Sequence, residues 1–205
     1  MNGFDRIARK ASQRDTLFSV LLELTYRCDL DCFYCYNDLG RKGRPVSTER
    51  YLVLLEELRD LNVLSVVLSG GEPLLHRGFW AIGRRARELA FSIRIKTNGN
   101  TLDAETARRL RDEVFPFLVE VSLHGATAET HDRQTRVRGS FDRLMKNLPA
   151  AKAAGLHVKM NTTTTAWSYA EVGEMCRHAD GLGKSLDVSV TVKIKILFVT
   201  VKKTA

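Results

Sequence analysis

The sequence predicts an α/β protein built on a parallel sheet. Apolar runs with the length of strands alternate along the chain with amphipathic segments whose apolar residues recur at helical spacing. Strands joined through helices pair in parallel by right-handed crossovers, which leaves either an open doubly wound sheet or a closed or partly closed barrel. The length of 205 residues fits one domain with a sizeable core and is too short for two of ordinary size.

Six apolar segments, several of them rich in β-branched residues, are expected to form strands. In chain order they are Phe18 to Leu24, Leu64 to Leu68, Ser92 to Lys96, Leu118 to Leu123, Leu156 to Thr162 and Leu186 to Val192. The helical patterns between them cover a segment behind the N-cap Ser47 with Tyr51, Leu54, Leu55, Leu58 and Leu61, and then Ala81 to Ala90, Ala104 to Arg111, Phe141 to Ala154 and Tyr169 to Ala179. Pro149 is expected to kink or interrupt its helix, and Gly155 to follow the helix end at the C′ position.

Side chains suited to chemistry collect where the predicted strands end. The chain turns polar or glycine-rich at Thr25-Tyr26-Arg27-Cys28, Ser69-Gly70-Gly71-Glu72, Lys96-Thr97-Asn98-Gly99, Ser122-Leu123-His124-Gly125 and Asn161-Thr162-Thr163. In α/β barrels the active site lies at this end of the strands. Turn formation alone accounts for Gly and Asn, but less readily for Cys, Lys and Glu.

Composition and hydropathy exclude several classes of protein. A chain with 44% hydrophobic and 27% charged residues is typical of a soluble globular protein. No apolar run approaches the roughly 18 residues of a membrane span, and Glu23 interrupts the only segment that could mimic a signal peptide. We therefore expect a cytoplasmic protein with no membrane association. The net charge of +8 suits an acidic partner, but no recognisable RNA-binding module accompanies it, so nucleic acid is not the expected ligand.

Three of the four cysteines follow the first predicted strand directly, as Cys28-x3-Cys32-x2-Cys35. An odd cluster in a cytosolic chain does not fit a disulfide framework and indicates metal or redox chemistry. A structural zinc site closes with four ligands, whereas three thiolates leave a coordination position open, as catalytic metal centres do. In a four-iron cluster, three thiolates would leave one iron free to bind a small molecule. Cys176 stands apart on a helical pattern and is expected to be a packed thiol.

This spacing, with Tyr34 at the aromatic position, resembles the C-x3-C-x-aromatic-C signature of the radical S-adenosylmethionine (radical SAM) enzymes. Ser69-Gly70-Gly71-Glu72-Pro73 resembles the family's GGEP motif, and Lys96-Thr97-Asn98-Gly99 its third-strand end. The segment from Val121 to Phe141 resembles the peptide-modifying branch that usually carries a C-terminal SPASM domain. The resemblance runs from about Phe18 to Leu182 and implies a partial (β/α)6 TIM-like barrel.

The resemblance also implies two cofactors, a 4Fe-4S cluster and S-adenosylmethionine (SAM). In the family, the reduced cluster passes an electron to SAM, which splits into methionine and a 5′-deoxyadenosyl radical that removes hydrogen from the substrate. Carried over by position, Cys28, Cys32 and Cys35 would ligate the cluster, Tyr34 would lie against adenine, and Gly70, Gly71 and Glu72 would hold the amino group of SAM. Ser122 and Asn161 would reach the ribose or methionine parts, and Arg138, with Arg133 and Arg136 as competitors, would hold the carboxylate.

The histidines are expected to be mainly structural. His124 stands where relatives often have an acidic residue, so it either faces substrate or, as we favour, is a hydrogen-bonded turn residue. His76 and His131 are expected to be structural as well. Asn161 has the alternative of simply capping a turn.

The expected organisation is an N-terminal extension over 1–17, a radical SAM core over 18–192 and an atypical tail over 193–205. The tail alternates lysine with apolar residues and lacks a sixth crossover helix. Only one cysteine follows Cys35, which cannot build an auxiliary cluster of the SPASM kind. We therefore expect the chain to be truncated or frame-shifted near Val192 relative to a longer ancestor.

The leading hypothesis for function is a radical SAM oxidoreductase that modifies a peptide or protein. The alternatives are a cofactor-biosynthesis enzyme of the molybdopterin or haem pathway, or a catalytically incomplete iron–sulfur or zinc module. The expected partners are a peptide or small-molecule substrate and a low-potential electron donor of the flavodoxin or ferredoxin type.

Overall fold

The structure, a computed structural model, is a six-stranded, all-parallel sheet with helices between successive strands. It describes residue 13, residues 17–37 and 46–181, and the backbone of 186–187. The strands are β1 (Ser19–Glu23), β2 (Ser65–Ser69), β3 (Ser92–Thr97), β4 (Leu118–Ser122), β5 (Val158–Asn161) and β6 (Leu186–Asp187). The helices are α1 (Thr48–Asp60), α2 (Phe79–Glu88), α3 (Ala104–Arg109), α4 (Ala128–Thr135), α5 (Ser140–Ala153) and α6 (Val172–Gly181). No helix in the described part of the chain is long and apolar enough to cross a membrane.

The strand order distinguishes between the two architectures that the sequence left open. The strands lie in the order β1-β2-β3-β4-β5-β6, so each crossover adds a strand beside the one before it. A doubly wound sheet reverses its order at a switch point, whereas a barrel keeps adding strands on the same side. The described strands β1 and β6 are the two edges of the sheet. The prediction of a partial barrel is therefore confirmed.

The core lies between one face of the sheet and the helices. Val66 and Leu68 of β2, Ile93 of β3 and Val119 and Val121 of β4 are almost completely buried there. Because side chains alternate across a strand, the other face carries the residues between them, and register places Lys96 beside Glu120 and Glu120 beside Lys159 on this face. Apolar packing thus holds the helices to the sheet, and the opposite face is mostly polar, with Leu21, Val67 and Leu118 as its apolar members.

Local sequence accounts for most helix boundaries. The side chains of Ser47, Asp103 and Thr127 accept hydrogen bonds from the first-turn N–H groups of α1, α3 and α4, at 3.2, 2.8 and 3.3 Å. Gly155 follows α5 with φ at +74°, as expected for a C′ glycine.

The helices differ from the prediction in three places. Helix α5 is not interrupted at Pro149 but continues from Ser140 to Ala153, where buried Leu148 and Ala151 pack on either side of the proline. Leu61 is the exposed C-cap of α1 and not part of its buried face. Helix α4 was not predicted at all. The expected end of the sixth strand and the expected N-terminal extension and tail lie largely or wholly outside the described residues.

Candidate functional site

The three cysteines lie in the cysteine loop, residues 25–37, which leaves β1 at the carboxyl edge of the sheet. A turn closed by a hydrogen bond from Cys35 N–H to Cys32 O, at 2.9 Å, brings the last two cysteines together. The Cys28 thiol accepts a hydrogen bond from Leu30 N–H at 3.4 Å. The loop backbone is fastened to the end of α4, since Asp31 and Phe33 donate to the carbonyls of Thr135 and Gln134.

Burial favours the protonated form of two of the loop thiols. Burial raises the pKa of Cys28 to about 11, and burial together with repulsion from Cys28 and Cys35 raises the pKa of Cys32 to about 12. A bound metal ion removes the thiol protons outright, because its positive charge more than offsets the free-energy cost of burying a thiolate. No three Cys, His, Asp or Glu side chains among the described residues are grouped to hold a single metal ion. An iron–sulfur cluster takes its thiolates on different iron atoms, so its ligands need not converge on one point.

The glycines after β2 allow this loop to touch the cysteine loop. A Cβ on Gly70, whose φ is +131°, would lie 2.4 Å from Thr25 O, and a Cβ on Gly71 would lie 2.5 Å from Arg27 O. The backbone N–H of Gly71 donates to Thr25 O at 2.6 Å, and that of Glu72 donates to Arg27 O at 2.9 Å. Only glycine permits this close contact, which sets the two loops side by side.

The carboxylate of Glu72 is part of a buried hydrogen-bond network that the sequence did not predict. It is completely buried and accepts hydrogen bonds from the Thr97 hydroxyl at 2.9 Å, from Asn98 N–H at 2.8 Å and from Leu74 N–H at 3.1 Å. Burial raises its pKa to about 7, and these hydrogen bonds oppose the rise. The side chain therefore joins the segments that follow β2 and β3.

Two asparagines after β3 hold the cysteine loop, a role that the sequence did not reveal. The Asn98 side-chain amide donates to one oxygen of Asp29 at 2.6 Å and lies 3.8 Å from the Cys28 sulfur. The Asn100 side-chain amide donates to the other oxygen of Asp29 at 3.1 Å. The sequence signal was the Asn98-Gly99-Asn100 turn at a strand end next to the glycine loop. The partner of this turn, Asp29, lies 69 residues before Asn98 and 71 before Asn100, so no local pattern shows the contact.

Tyr34 packs within the site against a pair of buried histidines. Its ring lies edge-on to the His124 ring, with 5.1 Å between centroids, and His124 stacks on His131 at 5.9 Å. The backbone N–H of His124 donates to His131 Nδ1 at 3.1 Å, and Thr163 N–H donates to His124 Nδ1 at 3.4 Å. Burial lowers the pKa of His124 to about 3 and that of His131 to about 4. Both rings are therefore neutral near pH 7 and support the loop behind Tyr34.

The other predicted site residues are distributed around the same edge. Ser122 and Asn161 end β4 and β5 in register with each other. Arg138 is exposed in the turn between α4 and α5. Its two competitors have partners, since Arg136 pairs with Asp31 of the cysteine loop at 3.6 Å and Arg133 lies over the Trp167 ring at 4.0 Å.

Cys176 and His76 lie outside the cysteine loop and the glycine loop. Cys176 is partly buried on α6, away from the cysteine loop in sequence. His76 accepts a hydrogen bond from Gly78 N–H at 3.1 Å and packs edge-on against Tyr51. This environment is that of a structural histidine.

Comparison with curated proteins finds relatives named as a maturase, a peptide cyclase and a pre-heme synthase. Mycofactocin maturase MftC of Mycobacterium tuberculosis is 34% identical over 171 residues, which are 82% of this chain and 43% of that protein. PqqA peptide cyclase of Rhizobium meliloti is 30% identical over 179 residues, 83% of this chain and 48% of that protein. Pre-heme d1 synthase of Dinoroseobacter shibae is 29% identical over 167 residues, 80% and 41%. The chain spans less than half the length of these relatives.

Solved structures show the same fold. SuiB of Streptococcus suis bound to S-adenosylmethionine superposes with a TM-score of 0.76 at 21% identity, over 98% of this chain and 48% of that one. The structure of SuiB with its precursor peptide SuiA gives a TM-score of 0.74 at 20% identity, over 90% and 42%. A family model described as the radical SAM superfamily matches residues 22–179, which include all three loop cysteines and the glycine loop. The chain therefore belongs to the radical SAM superfamily.

Proposed function

We propose that this chain is the core of a radical SAM enzyme that binds a 4Fe-4S cluster and SAM and modifies a peptide. The observation that carries the proposal is the contact between the three-cysteine loop and the Gly70-Gly71 loop, made by hydrogen bonds of 2.6 and 2.9 Å at the carboxyl edge of the sheet. This contact puts a three-thiolate donor set beside backbone carbonyls that suit an ammonium. A metal centre with an open position and an adjacent ammonium site together fit an amino-acid-bearing cofactor such as SAM.

The cluster would be held by Cys28, Cys32 and Cys35, and with SAM bound it supplies the electron that splits the sulfonium to give a 5′-deoxyadenosyl radical. Tyr34 is the candidate for contact with adenine, because it lies in the cysteine loop and is fixed by His124 behind it. The carbonyl groups of Gly70 and Gly71 are the candidates for the amino group.

The far side of the cofactor would meet the ends of the later strands. Ser122 and Asn161 are candidates for the ribose and methionine parts, because both end strands at this edge and lie opposite each other. Arg138 is the candidate for the SAM carboxylate, since it is exposed in a turn that follows the helix fastened to the cysteine loop. Arg136, paired with Asp31, is the nearest alternative.

A peptide is the proposed substrate class. One of the curated relatives is named as a peptide cyclase and another as a maturase, and a SuiB structure holds a precursor peptide. The net charge of +8 suits an acidic peptide and an acidic, low-potential donor protein of the flavodoxin or ferredoxin type. A second candidate, modification of a haem precursor, is supported by the similarity to pre-heme d1 synthase.

Anaerobic reconstitution of the full chain with iron and sulfide tests the cofactor chemistry. After reduction with dithionite in the presence of SAM, we expect 5′-deoxyadenosine to form, and we expect Cys32→Ala to abolish it. Cys176→Ala is the matched control, because it removes a thiol outside the loop and should leave the yield unchanged. Cluster-loaded protein that forms no 5′-deoxyadenosine would contradict the proposal.

The substrate class is tested separately by isotope transfer. Deuterium that moves into 5′-deoxyadenosine from a labelled acidic peptide would support peptide modification. Transfer from a labelled haem precursor, and not from any peptide, would favour the second candidate.

A further inference from the structure

The link between Asn98 and the cysteine loop has a consequence for the metal centre. We propose that Asn98 is a positioning residue that fixes Cys28 and, by donating to its sulfur, raises the reduction potential of the bound cluster. This inference rests on the proposed function, because it takes Cys28 to be a cluster ligand. It assigns a task to a residue that touches the cluster only through a ligand.

The orientation of the Asn98 amide is determined by its neighbours. Its side-chain oxygen accepts a hydrogen bond from Asn100 N–H at 2.9 Å, so its NH2 group must point the other way. On that side, one N–H donates to Asp29 at 2.6 Å, and the nitrogen lies 3.8 Å from the Cys28 sulfur, within hydrogen-bonding distance for sulfur. The same residue's backbone N–H donates to the buried Glu72 carboxylate at 2.8 Å. Backbone and side chain are therefore both held.

The turn that carries Asn98 is itself rigid. Asn147 of α5, largely buried, donates from its side chain to the carbonyls of Gly99 and Asn100 at 3.0 and 2.9 Å. Gly99 has φ at +80°, and a Cβ there would lie 2.6 Å from Leu144. The donor is thus placed before any metal binds, and ordering it on cluster binding costs little.

A hydrogen bond to a ligating thiolate changes the energy of the two redox states unequally. It withdraws electron density from the sulfur and favours the more negatively charged, reduced cluster, so the reduction potential rises. The contact falls on Cys28, and it comes from the strand end next to the glycine loop. Removing the donor should make the cluster harder to reduce.

Asn100 provides a matched control for this effect. It binds the second oxygen of the same Asp29 carboxylate at 3.1 Å, and its contact is with Asp29 and not with the Cys28 sulfur. Asn98→Asp and Asn100→Asp both keep the side-chain size, both add one negative charge beside Asp29, and both lose the NH2 group that donates to Asp29. Only Asn98→Asp removes the donor to sulfur, while it keeps an oxygen that accepts from Asn100 N–H. Asn98→Ala and Asn100→Ala repeat the comparison without added charge.

The test is a potentiometric titration, followed by electron paramagnetic resonance, of the reconstituted full chain. We expect the midpoint potential to shift to more negative values in both Asn98 variants, and to shift clearly less in the Asn100 variants, at equal iron and sulfide content. Equal potentials in wild type and Asn98→Ala, or equal shifts at the two positions, would overturn the inference. If wild-type protein binds no cluster, the proposed function fails instead, so the two failures are distinguishable. If one of the two Asn98 variants fails to fold or to bind a cluster, the other Asn98 variant supplies the comparison. If both Asn98 variants fail while both Asn100 variants bind a cluster, Asn98 is needed for folding, and its role in the reduction potential is overturned.

Discussion

The hydroxyl of Thr97 lies 2.9 Å from both oxygens of the buried Glu72 carboxylate. The two residues end neighbouring strands, since Thr97 is the last residue of β3 and Glu72 follows the loop after β2. Asn98 N–H and Leu74 N–H complete the set of donors to this carboxylate. A carboxylate removed from water must be hydrogen-bonded within the protein, so the pair determines where the glycine loop and the asparagine turn stand relative to each other.

Replacing Thr97 with valine should destabilise the protein. The change keeps the shape of the side chain but leaves the buried carboxylate short of one donor and the Gly99 N–H without its acceptor at 3.1 Å, at a cost of about 1–3 kcal/mol in the free energy of unfolding for each group left unpaired. Urea denaturation of the apoprotein, followed by circular dichroism, measures it. Thr97→Ser should recover most of the loss, because it restores the hydroxyl. Thr101→Val is the control, since the buried Thr101 hydroxyl has no hydrogen-bond partner among the described residues. Equal effects of Thr97→Val and Thr101→Val would refute the role of this hydrogen bond.

A methyl group at Gly71 should separate the glycine loop from the cysteine loop. The added Cβ would meet Arg27 O at 2.5 Å and Tyr26 O at 2.7 Å, both of them backbone atoms that cannot rotate away. We expect Gly71→Ala to lose SAM binding, measured by equilibrium dialysis with labelled SAM on reconstituted protein, and to lower the melting temperature. Gly173→Ala is the matched control on α6, where an added Cβ meets nothing within 4 Å. There the substitution should be neutral or slightly stabilising, by about 0.5–1 kcal/mol. Normal SAM affinity in Gly71→Ala would contradict this view of the loop contact.

Stability should fall on mild acidification, because of the two neutral histidines. The unfolded chain protonates His124 and His131 near pH 6.5, whereas burial delays this in the folded state to pKa values of about 3 and about 4. Glu72 acts in the opposite direction, since its pKa is about 7 when folded and 4.5 otherwise. Near pH 5.5 the unfolded chain therefore binds two more protons on the histidines and one fewer on Glu72. From these three groups the free energy of unfolding should drop by about 1.4 kcal/mol per pH unit as the pH is lowered.

Urea titrations of the apoprotein at pH 5 and pH 6 test this slope. His131→Gln removes one of the two histidines. The opposing contributions of His124 and Glu72 to the pH dependence of the free energy of unfolding should then cancel, so the slope from these groups should fall to near zero. The control is His157→Gln, because His157 is exposed. A slope that is the same in wild type and His131→Gln would exclude the buried histidines as its source.

The sequence predicted those elements whose apolar pattern survives in the core. The β2 segment from Ser65 to Ser69 is buried throughout, and the alternation of helix and strand predicted a parallel sheet. Helix α4 was not predicted because its buried face consists of the polar residues His131, Gln134 and Thr135 and not of an apolar stripe. Hydrogen bonds to other segments, such as that from the Gln134 side chain to His124 O, hold this helix in place. The spacing of apolar residues along the sequence cannot predict such bonds.

The site was predictable as a set of motifs but not as a set of contacts. Cysteine spacing and the glycine pair stand in the sequence as local signals. The hydrogen bonds of Glu72 were not predicted, because nothing local shows that Thr97 and Asn98 reach its carboxylate. The hold of Asn98 and Asn100 on Asp29 was missed for the same reason, since it depends on the register of β1, β2 and β3.

The most direct test of the central claim is the iron and sulfide content of the anaerobically reconstituted chain. The account predicts about four irons and four sulfides per chain, with SAM-dependent change in the electron paramagnetic resonance spectrum of the reduced cluster. Loading should be lost in Cys28→Ala, Cys32→Ala and Cys35→Ala and retained in Cys176→Ala. A colourless protein that holds one zinc per chain, or a cluster that loads equally well without Cys32, would contradict the account.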